Sequence, residues 1–531
     1  MPSLIISTVD KFAQIAFKDY VGQLFGNVKS YSEKEGFRRT NAKLPNININ
    51  SLDPIEFILQ DELHLIEGPL GSITGAYEVL IDELSKRFDS EKNLVHKIKY
   101  IASTATIRAG KEQVKSLFDR EFRIFPPSGI SDQDSFFMFY SDNHQIDEVT
   151  RGRLHFGICA PGKSRIEPQM RIWTELLQTG WIIYHEIVNG SFTETEKSHL
   201  IQILDNYWTV TGYFNSIREL AGIRAIYTQE FITWLKLLYG EDIRKILKEN
   251  DPIELSSRTD SVVLPNYFEI LEGNITKNNK NITNGVLTTS MFGTGVDVTR
   301  LGLMIINGQP KTTSSYIQAS GRIGRNRGGL VAIFYAASRP RDLDHYEQFS
   351  SYHQSIYRFV EPISVAPFAP ECNKRTLGPI VVSFLRQAEF ISGFLNDEKW
   401  IDDYKGAKNI LALQSNPINA DIIRIILQIL ETRRANQPIG RDFDITENLK
   451  ILEKKLKDWF DTIFNNIDQD LVFKEYTFNT RPTKSVVLGD PQHETFKKAH
   501  PEKIIIFNNA PNSFRGIEAT TGFGPIYRKI K

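Results

Sequence analysis

The chain has 531 residues, of which 41% are hydrophobic and 24% charged, a composition typical of a globular protein with several packed cores. Basic and acidic residues number 64 each, so no net charge attracts the protein to nucleic acid, and any such binding requires a local groove. Its 2 cysteines exclude a disulfide framework, and because no apolar run approaches the ~18 residues of a membrane span, we expect a cytoplasmic protein.

The N-terminal part of the chain, residues 1–150, alternates short apolar runs with amphipathic segments, as in a parallel sheet with crossover helices. Apolar runs at residues 4–7, 55–60 and 98–103 predict buried strands, and helical spacing over 73–88 predicts a helix. Since the chain opens inside an apolar run, we expect this first domain to be incomplete at its N-terminus.

Residues 151–204 are interpreted as a connecting segment, followed by a second α/β domain over residues 205–361. Its predicted strands include the runs YWTVTGYFNS, GVLTTS, LGLMIING and GLVAIFYA. Residues 362–531 begin with a proline-rich stretch and continue with helical spacing, so we expect a mainly helical C-terminal region. The predicted fold class is therefore α/β, with two parallel-sheet domains and a helical C-terminal region.

An acidic tetrapeptide, Asp61-Glu62-Leu63-His64, directly follows the second predicted strand. An Asp at the carboxyl end of a parallel strand lies at the ligand edge of the sheet, where it can hold the water shell of Mg²⁺. A neighbouring Glu can take a proton from an attacking water. The alternative is the solvated start of a helix, where carboxylates balance the helix dipole.

Hydroxyl side chains follow the third predicted strand, in Ser103-Thr104-Ala105-Thr106. These hydroxyls could bond to the acidic tetrapeptide, although a simple turn at a strand end gives the same pattern. Two further motifs lie in the second domain, TSMFGTGVD at 289–297 and QASGRIGR at 318–325. Arg322 and Arg325 are three apart, so on a helix they share one face and can clamp a phosphoryl group. A basic surface turn is the alternative.

The octapeptide GICAPGKS, at residues 157–164, fits the phosphate-binding pattern G-x-x-x-x-G-K-[ST]. Ile158 and Cys159 read as a continued strand, and Pro161 has no N–H group to offer a phosphate. The octapeptide also follows the acidic tetrapeptide, whereas in ATP-driven motors the phosphate loop usually comes first. We therefore interpret it as a chance match and not as the ATP site.

Taken together, these motifs resemble those of superfamily 2 helicases. DELH resembles motif II, STAT motif III, TSMFGTGVD motif V and QASGRIGR motif VI, while YFNSIREL at 213–220 is similar to motif IV and STVDKF at 7–12 to motif Ib. Within this superfamily the segments STVDKFA, DELHLIEGPLGS, VTGYFNSIRELAG and VEPISVAPFAP resemble the helicase of the DISARM anti-phage systems.

The resemblance implies two RecA-like domains with ATP in the cleft between them. In that case Asp61 coordinates Mg²⁺ through water, Glu62 activates the attacking water, His64 and Gln318 couple the domains, and Arg322 and Arg325 reach the γ-phosphate. It also implies nucleotide or coupling roles for Thr104, Thr106, Gly295 and Asp297, and contacts of Thr8, Asp10 and Thr289 with the nucleic-acid backbone.

No other phosphate-loop pattern precedes Ser7, so motif I is absent from the sequence and we expect weak or no ATP turnover by this chain alone. The implied partners are single-stranded or duplex DNA, other defence-system subunits, and a separate chain or upstream segment that supplies motif I. The alternative is a non-catalytic DNA-binding or scaffolding subunit derived from a helicase. A housekeeping RNA helicase fits the C-terminal resemblance less well.

Overall fold

The fold is that of a computed structural model, in which the chain divides into two compact units. The first unit comprises Met1–Phe125 with Pro362–Lys531, and the second comprises Pro126–Glu361. The structure describes residues 4–26, 28, 30–33, 36–38, 47–48, 52–91, 93–104, 110–127, 136, 152–244, 251–260, 262–275, 282–289, 298–325, 327–362, 364–386, 418–438, 446–465, 471–472, 485–489, 498–508, 510–511 and 514.

The first unit combines short sheets with long helices. Its strands are β1 (Ser30–Ser32), β2 (Gly36–Arg38), β3 (Ile47–Asn48), β4 (Phe57–Gln60), β5 (Arg87–Phe88), β6 (Leu94–His96), β7 (Lys99–Ala102), β14 (Leu471–Val472), β15 (Ser485–Leu488) and β16 (Ile505–Phe507). Its α-helices are α1 (Gly68–Ser85), α2 (Gly110–Phe118), α11 (Pro370–Arg386), α12 (Ile418–Ala435) and α13 (Thr446–Asn465). Short 3₁₀ helices span Val9–Ala16, Asp19–Phe25 and Leu63–Leu65.

The core of the first unit joins residues that are far apart in the chain. Tyr77 and Leu80 of α1 pack in one cluster with Ile380 of α11 and Trp459 of α13, and all four are fully buried or nearly so. Strands β14, β15 and β16 add a small parallel sheet to this cluster. The C-terminal region is therefore mainly helical, as predicted, but it also contains a sheet and shares its core with the N-terminal part.

The second unit is built on a six-stranded sheet in which every described pair of strands is parallel. The strands are β8 (Arg153–Cys159), β9 (Val210–Phe214), β10 (Ile253–Leu255), β11 (Gly285–Thr288), β12 (Leu303–Asn307) and β13 (Gly329–Tyr335), in the order β10-β11-β9-β12-β13-β8. Strands β9, β11 and β12 are buried along their whole length, as continuous apolar runs predict. Together with the parallel pair of β4 and β7, this sheet confirms the predicted α/β class.

Helices cover both faces of this sheet. They are α3 (Ile166–Asn189), α4 (Glu194–Asp205), α5 (Ile217–Gln229), α6 (Phe231–Tyr239), α7 (Leu264–Glu272), α8 (Thr313–Ser320), α9 (Pro340–Glu347) and α10 (Phe349–Gln354). Trp173 and Leu177 of α3 pack in one core cluster with Val210 of β9, and Tyr316 of α8 packs in another with Ile306 of β12. Both clusters consist of buried apolar side chains from sheet and helix, which is the layered arrangement expected of an α/β unit.

The predicted connecting segment, residues 151–204, is part of the second unit. It supplies the edge strand β8, which pairs with β13 from Arg153↔Gly329 to Cys159↔Tyr335. It also supplies α3, whose apolar face is buried against the sheet. The boundary predicted near residue 205 therefore separates elements that share one hydrophobic core.

Two expectations for the N-terminal part are wrong. Residues 4–7 do not form a strand, and Leu4, Ile5 and Ile6 are 70%, 55% and 90% exposed. Strands β4 and β7 exist as predicted but are not buried, since Leu59 is 64% and Ile101 45% exposed. The reason is that, within the described residues, these two strands form a sheet of their own with one uncovered face.

In the described part of the chain, no helix combines the length and the apolar character that crossing a membrane requires.

Candidate functional site

The acidic tetrapeptide, Asp61–His64, lies beside Ser103 and Thr104 in the first unit. These two residues are the described part of residues 103–106, which we call the hydroxyl segment. Strands β4 and β7 are parallel and in register from Phe57↔Lys99 to Gln60↔Ala102, so Asp61 and Ser103 leave the sheet at the same edge. Ser103 donates its hydroxyl to Oδ1 of Asp61, and the N–H of Leu63 donates to the carbonyl of Ser103 at 2.9 Å. The predicted contact between the two motifs is therefore present.

His64 makes the second contact between these motifs. Its Nδ1 lies 3.0 Å from the hydroxyl of Thr104 and 3.4 Å from Oε2 of Glu62. The imidazole is buried, whereas the side chain of Glu62 is 31% exposed. Nδ1 of His64 thus lies between the carboxylate of Glu62 and the hydroxyl of Thr104. A change in either group therefore alters the contacts of the imidazole.

Glu62 has an unusual backbone conformation. Its φ is 51° and its ψ 51°, in the left-handed region that residues with a Cβ rarely adopt. This turn separates β4 from the 3₁₀ helix Leu63–Leu65. Backbone strain of this kind persists only where surrounding contacts hold it.

Gln113 supplies such contacts, and sequence reasoning missed it. Its Nε2 donates to the carbonyls of Leu63 and Ile66, both at 3.0 Å, and the residue is 1% exposed. Gln113 lies on α2, the helix that follows the hydroxyl segment. The buried amide of Gln113 therefore connects α2 to residues 63–66, which follow Glu62. No sequence pattern marks this role, because a glutamine on a helix is ordinary.

The proline-rich segment packs on the same part of the first unit. The N–H of Gly68 donates to the carbonyl of Ser364 at 3.1 Å, and the N–H of Ala366 donates to the hydroxyl of Ser72 at 3.1 Å. Val365 is 1% exposed and packs with Leu63. The segments DELHLIEGPLGS and VEPISVAPFAP, both quoted for the DISARM resemblance, are thus in direct contact.

Asp61 has the free oxygen that a water-mediated magnesium ligand requires. Its Oδ1 accepts from Ser103 and, at 2.9 Å, from the N–H of Glu62. Its Oδ2 accepts no hydrogen bond within the described residues, and the residue is exposed. A hydrated Mg²⁺ fits such a carboxylate, since this ion keeps several waters and takes few protein ligands.

The remaining predicted residues of the first unit lie apart from this turn in the sequence. Thr8 precedes the 3₁₀ helix Val9–Ala16, and its carbonyl accepts the N–H of Lys11 at 3.0 Å. Asp10 is in the first turn of that helix. Thr106 lies outside the described residues, as do Gly295 and Asp297 of the second unit.

In the second unit, Thr289 follows β11 at the carboxyl edge of the sheet. It is 9% exposed, and its N–H donates to the carbonyl of Leu255 at 3.4 Å. Gln318 lies on α8 and is partly exposed.

The prediction that Arg322 and Arg325 share one face of a helix is wrong. Helix α8 ends at Ser320, and both arginines lie in the turn that follows. Gly324 has a φ of 68°, and a Cβ there would lie 2.5 Å from the N of Gly329, so only glycine fits. The helix therefore stops, and the arginines are presented by a glycine-bounded turn.

This turn lies at the amino edge of the sheet. The N–H of Gly324 donates to the carbonyl of Leu301, just before β12, at 2.8 Å. Thr289, by contrast, follows the carboxyl end of β11. The predicted phosphate-contacting arginines and the predicted nucleic-acid contact are thus at opposite edges of one sheet.

The octapeptide GICAPGKS joins β8 to α3. Gly157, Ile158 and Cys159 are paired within the sheet, which confirms the predicted continuation of the strand. The ammonium of Lys163 lies 3.1 Å from Oε1 of Glu167, and both side chains are exposed. In a phosphate-binding loop the lysine would instead face the phosphates. The interpretation of this octapeptide as a chance match stays a prediction.

A partly buried chain of hydrogen bonds, which the sequence analysis did not predict, connects α8 to its neighbours. His353 Nδ1 lies 2.8 Å from the carbonyl of Phe349, so it carries the proton and its Nε2 accepts from Tyr316, at 2.7 Å. The Tyr316 oxygen then accepts from His155 Nδ1, at 2.7 Å. Burial, followed by the charges of His353 and Arg153, lowers the pKa of His155 to about 4.

Comparison with known proteins agrees with the sequence motifs. Residues 271–327 match the family model of the helicase conserved C-terminal domain. The chain is 34% identical to the DISARM protein DrmA of Bacillus paralicheniformis over 98% of its own length, and it spans 43% of that relative. The predicted resemblance to superfamily 2 helicases, and within them to the DISARM protein, is confirmed.

Two solved structures show a more distant similarity. The DUF1998 helicase MrfA bound to DNA and AMPPNP is 15% identical with a TM-score of 0.40, over 62% of this chain and 37% of that one. The Mycobacterium smegmatis helicase Lhr bound to single-stranded DNA and AMP-PNP is 15% identical with a TM-score of 0.38, over 62% of this chain and 34% of that one.

Proposed function

Because the chain is similar to DrmA over nearly its whole length and matches the conserved helicase C-terminal domain, we propose that it is the motor region of a nucleic-acid-dependent ATPase in phage defence. Its ligands in this proposal are DNA, ATP and Mg²⁺. Asp61 would hold the hydrated Mg²⁺, and Glu62 would accept a proton from the attacking water.

The observation that carries the proposal is the pair of contacts from the acidic tetrapeptide to the hydroxyl segment. Asp61 bonds to Ser103 and His64 to Thr104, at the ends of two adjacent parallel strands. Carboxyl ends of parallel strands are where α/β proteins bind their ligands. The alternative, a solvated helix start, does not account for the buried imidazole of His64 between Glu62 and Thr104.

The proposal includes a source of motif I outside the 531 residues, either a separate chain or a further segment. The uncovered face of β4 and β7 supports this part, since Phe57, Leu59 and Ile101 are 43%, 64% and 45% exposed. Parallel strands are almost always covered on both faces. The relative is also more than twice as long as the matched region, which spans 43% of it.

The competing proposal is a non-catalytic subunit that binds DNA or other defence proteins. The absence of a motif I from the 531 residues favours it. The intact Asp61, Glu62, Arg322 and Arg325 favour the motor. The two proposals differ in one property, which is nucleotide turnover once a phosphate loop is present.

The test is a steady-state ATPase assay with and without single-stranded DNA, on the chain alone and with the polypeptide encoded immediately upstream. We expect little turnover by the chain alone and DNA-stimulated turnover in the pair, which Glu62→Gln abolishes. DNA binding without turnover in the pair would favour the scaffold. Robust turnover by the chain alone that Lys163→Ala abolishes would instead make GICAPGKS the phosphate loop.

A further inference from the structure

A cavity of about 610 Å³ lies in the second unit, between α5 and the turn that follows β10. Its lining includes the side chains of Arg224 and Arg258, which are 50% and 46% exposed. The alanines Ala221 and Ala225 of α5 leave space beside the guanidinium groups. The cavity is within the size range of ligand-binding pockets, about 300–1,000 Å³.

Both arginines are held by one carboxylate at the edge of the cavity. Arg258 donates Nε to Oε1 of Glu254 at 3.0 Å, and its Nη2 lies 2.8 and 3.0 Å from the two carboxylate oxygens. Arg224 donates Nη1 to Oε2 of Glu254 at 2.7 Å. The side chain of Glu254 is only 7% exposed. One guanidinium balances this buried carboxylate, and the charge of the second is opposed only by Asp260, which contacts neither arginine through a hydrogen bond or ion pair within the described residues.

The turn that carries Arg258 is itself fixed by hydroxyl groups. Ser256 donates its hydroxyl to Oε1 of Glu254 at 2.6 Å and accepts the N–H of Arg258 at 3.2 Å. Thr259 donates its hydroxyl to the carbonyl of Glu254 at 2.8 Å. The guanidinium groups are therefore ordered before any ligand arrives, which reduces the entropic cost of binding.

Several N–H groups of the two arginines remain available. Nε and Nη2 of Arg224, and Nη1 of Arg258, donate to no protein acceptor within the part of the chain that the structure describes. Guanidinium groups fixed in this way match the oxygens of a phosphate. We propose that the cavity beside Arg224 and Arg258 is a binding site for a phosphate group.

Asp260 also lines the cavity, and its carboxylate opposes an anion. The two residues should therefore affect the affinity for phosphate in opposite directions. Removal of the Arg224 guanidinium should weaken binding, and removal of the Asp260 charge should strengthen it. The phosphate could belong to DNA, because Leu255, which precedes the Ser256 turn, accepts the N–H of Thr289. It could equally belong to a small phosphorylated compound.

The test is calorimetric titration of the full chain with inorganic pyrophosphate, ATP and oligothymidylate. Arg224→Gln should weaken binding about tenfold, the order expected for one charge-assisted hydrogen bond, and Asp260→Asn should strengthen it. Arg218→Gln is the matched control, since Arg218 is an exposed arginine of α5 outside the cavity lining. Glu254 keeps its bidentate partner in Arg224→Gln, so the turn should stay folded, and circular dichroism checks this.

A loss confined to oligothymidylate assigns the phosphate to a DNA strand, whereas a loss for pyrophosphate or ATP assigns it to a free phosphate compound. The proposal is overturned if no probe binds, if Arg224→Gln and Arg218→Gln behave alike, or if Asp260→Asn weakens binding. It is independent of the proposed motor function, because pyrophosphate binding can be measured in a protein that has no turnover.

Discussion

The imidazole of His64 lies 3.0 Å from the hydroxyl of Thr104, although 40 residues separate them in the chain. Because His64 is 4% exposed, loss of this hydroxyl leaves a buried ring nitrogen with a poorer partner. We expect Thr104→Val to lower the free energy of unfolding by about 1–2 kcal/mol, measured by urea denaturation. Thr104→Ser is the control, since it keeps the hydroxyl. Equal losses in the two variants would contradict the role given to the hydroxyl.

The left-handed backbone of Glu62 predicts that a glycine variant is more stable than an alanine variant at this position. Glycine normally destabilises a protein relative to alanine, but at a φ of 51° the alanine Cβ is strained. We expect Glu62→Gly to be more stable than Glu62→Ala by about 1 kcal/mol in urea denaturation. If Ala is the more stable variant, the backbone at this position is not left-handed in solution.

Gly75, in the middle of α1, is expected not to tolerate a methyl group. A Cβ there would lie 2.7 Å from Cγ of Pro367 and 3.2 Å from the carbonyl oxygen of Ser116. Gly75→Ala should therefore destabilise the protein by about 1–3 kcal/mol, the usual cost of overpacking. Gly222 in α5 has open space around it, so Gly222→Ala should stabilise the protein through helix propensity, by about 0.5–1 kcal/mol. Thermal unfolding of both variants checks this contrast.

The hydrogen-bond chain through Tyr316 predicts a loss of stability in acid. The pKa of His155 is about 4 in the folded protein, below its ordinary value of 6.5, so the unfolded chain binds a proton first as the pH falls. The contribution of His155 is complete above pH 6.5 and is lost progressively towards pH 4. His155→Asn should flatten the fall in urea midpoint between pH 7 and pH 5. An unchanged slope would mean that His155 is not buried as a neutral group.

Glu78 of α1 predicts the opposite pH dependence. Burial raises its pKa to about 7, against the effects of the Tyr100 hydroxyl and the charge of Arg433. The folded protein therefore holds this proton more tightly than the unfolded chain, so its contribution to stability is complete below pH 4.5 and is lost as the pH rises from 4.5 to about 7. Since one pKa unit corresponds to about 1.4 kcal/mol, Glu78→Gln should gain about 3 kcal/mol over the natural protein at pH 8 and less than about 1 kcal/mol at pH 5. A gain that does not vary with pH would refute this origin.

Sequence reasoning located the residues whose role is set by their neighbours in the chain. Asp61 and Ser103 each follow a short apolar run, and the rule that parallel strands end at one edge brought them together correctly. The strands of the second unit were predicted for the same reason, since continuous apolar runs suit buried parallel strands.

Features of the candidate site that depend on contacts between distant segments could not be predicted from the sequence. The contacts of Gln113 with the acidic turn involve a helix more than 40 residues away, and no local pattern records them. Arg322 and Arg325 were misplaced because a spacing of three suits a helix, whereas Gly324 ends it. The strand ending at Cys159 was predicted, but its place in the second unit was not, because exposed residues such as Leu154, which is 64% exposed, made residues 151–204 look like a connecting segment.

The packing of α1 against α11 has a consequence for biosynthesis. Helix α1 ends at Ser85 and α11 begins at Pro370, so the ribosome must add nearly three hundred residues before α1 can cover its apolar face. Meanwhile the inserted unit, Pro126–Glu361, is contiguous and can complete its sheet as soon as β13 emerges. During synthesis the second unit can thus fold before the core of the first is complete, and Tyr77 and Leu80 lack the α11 part of their packing during that interval.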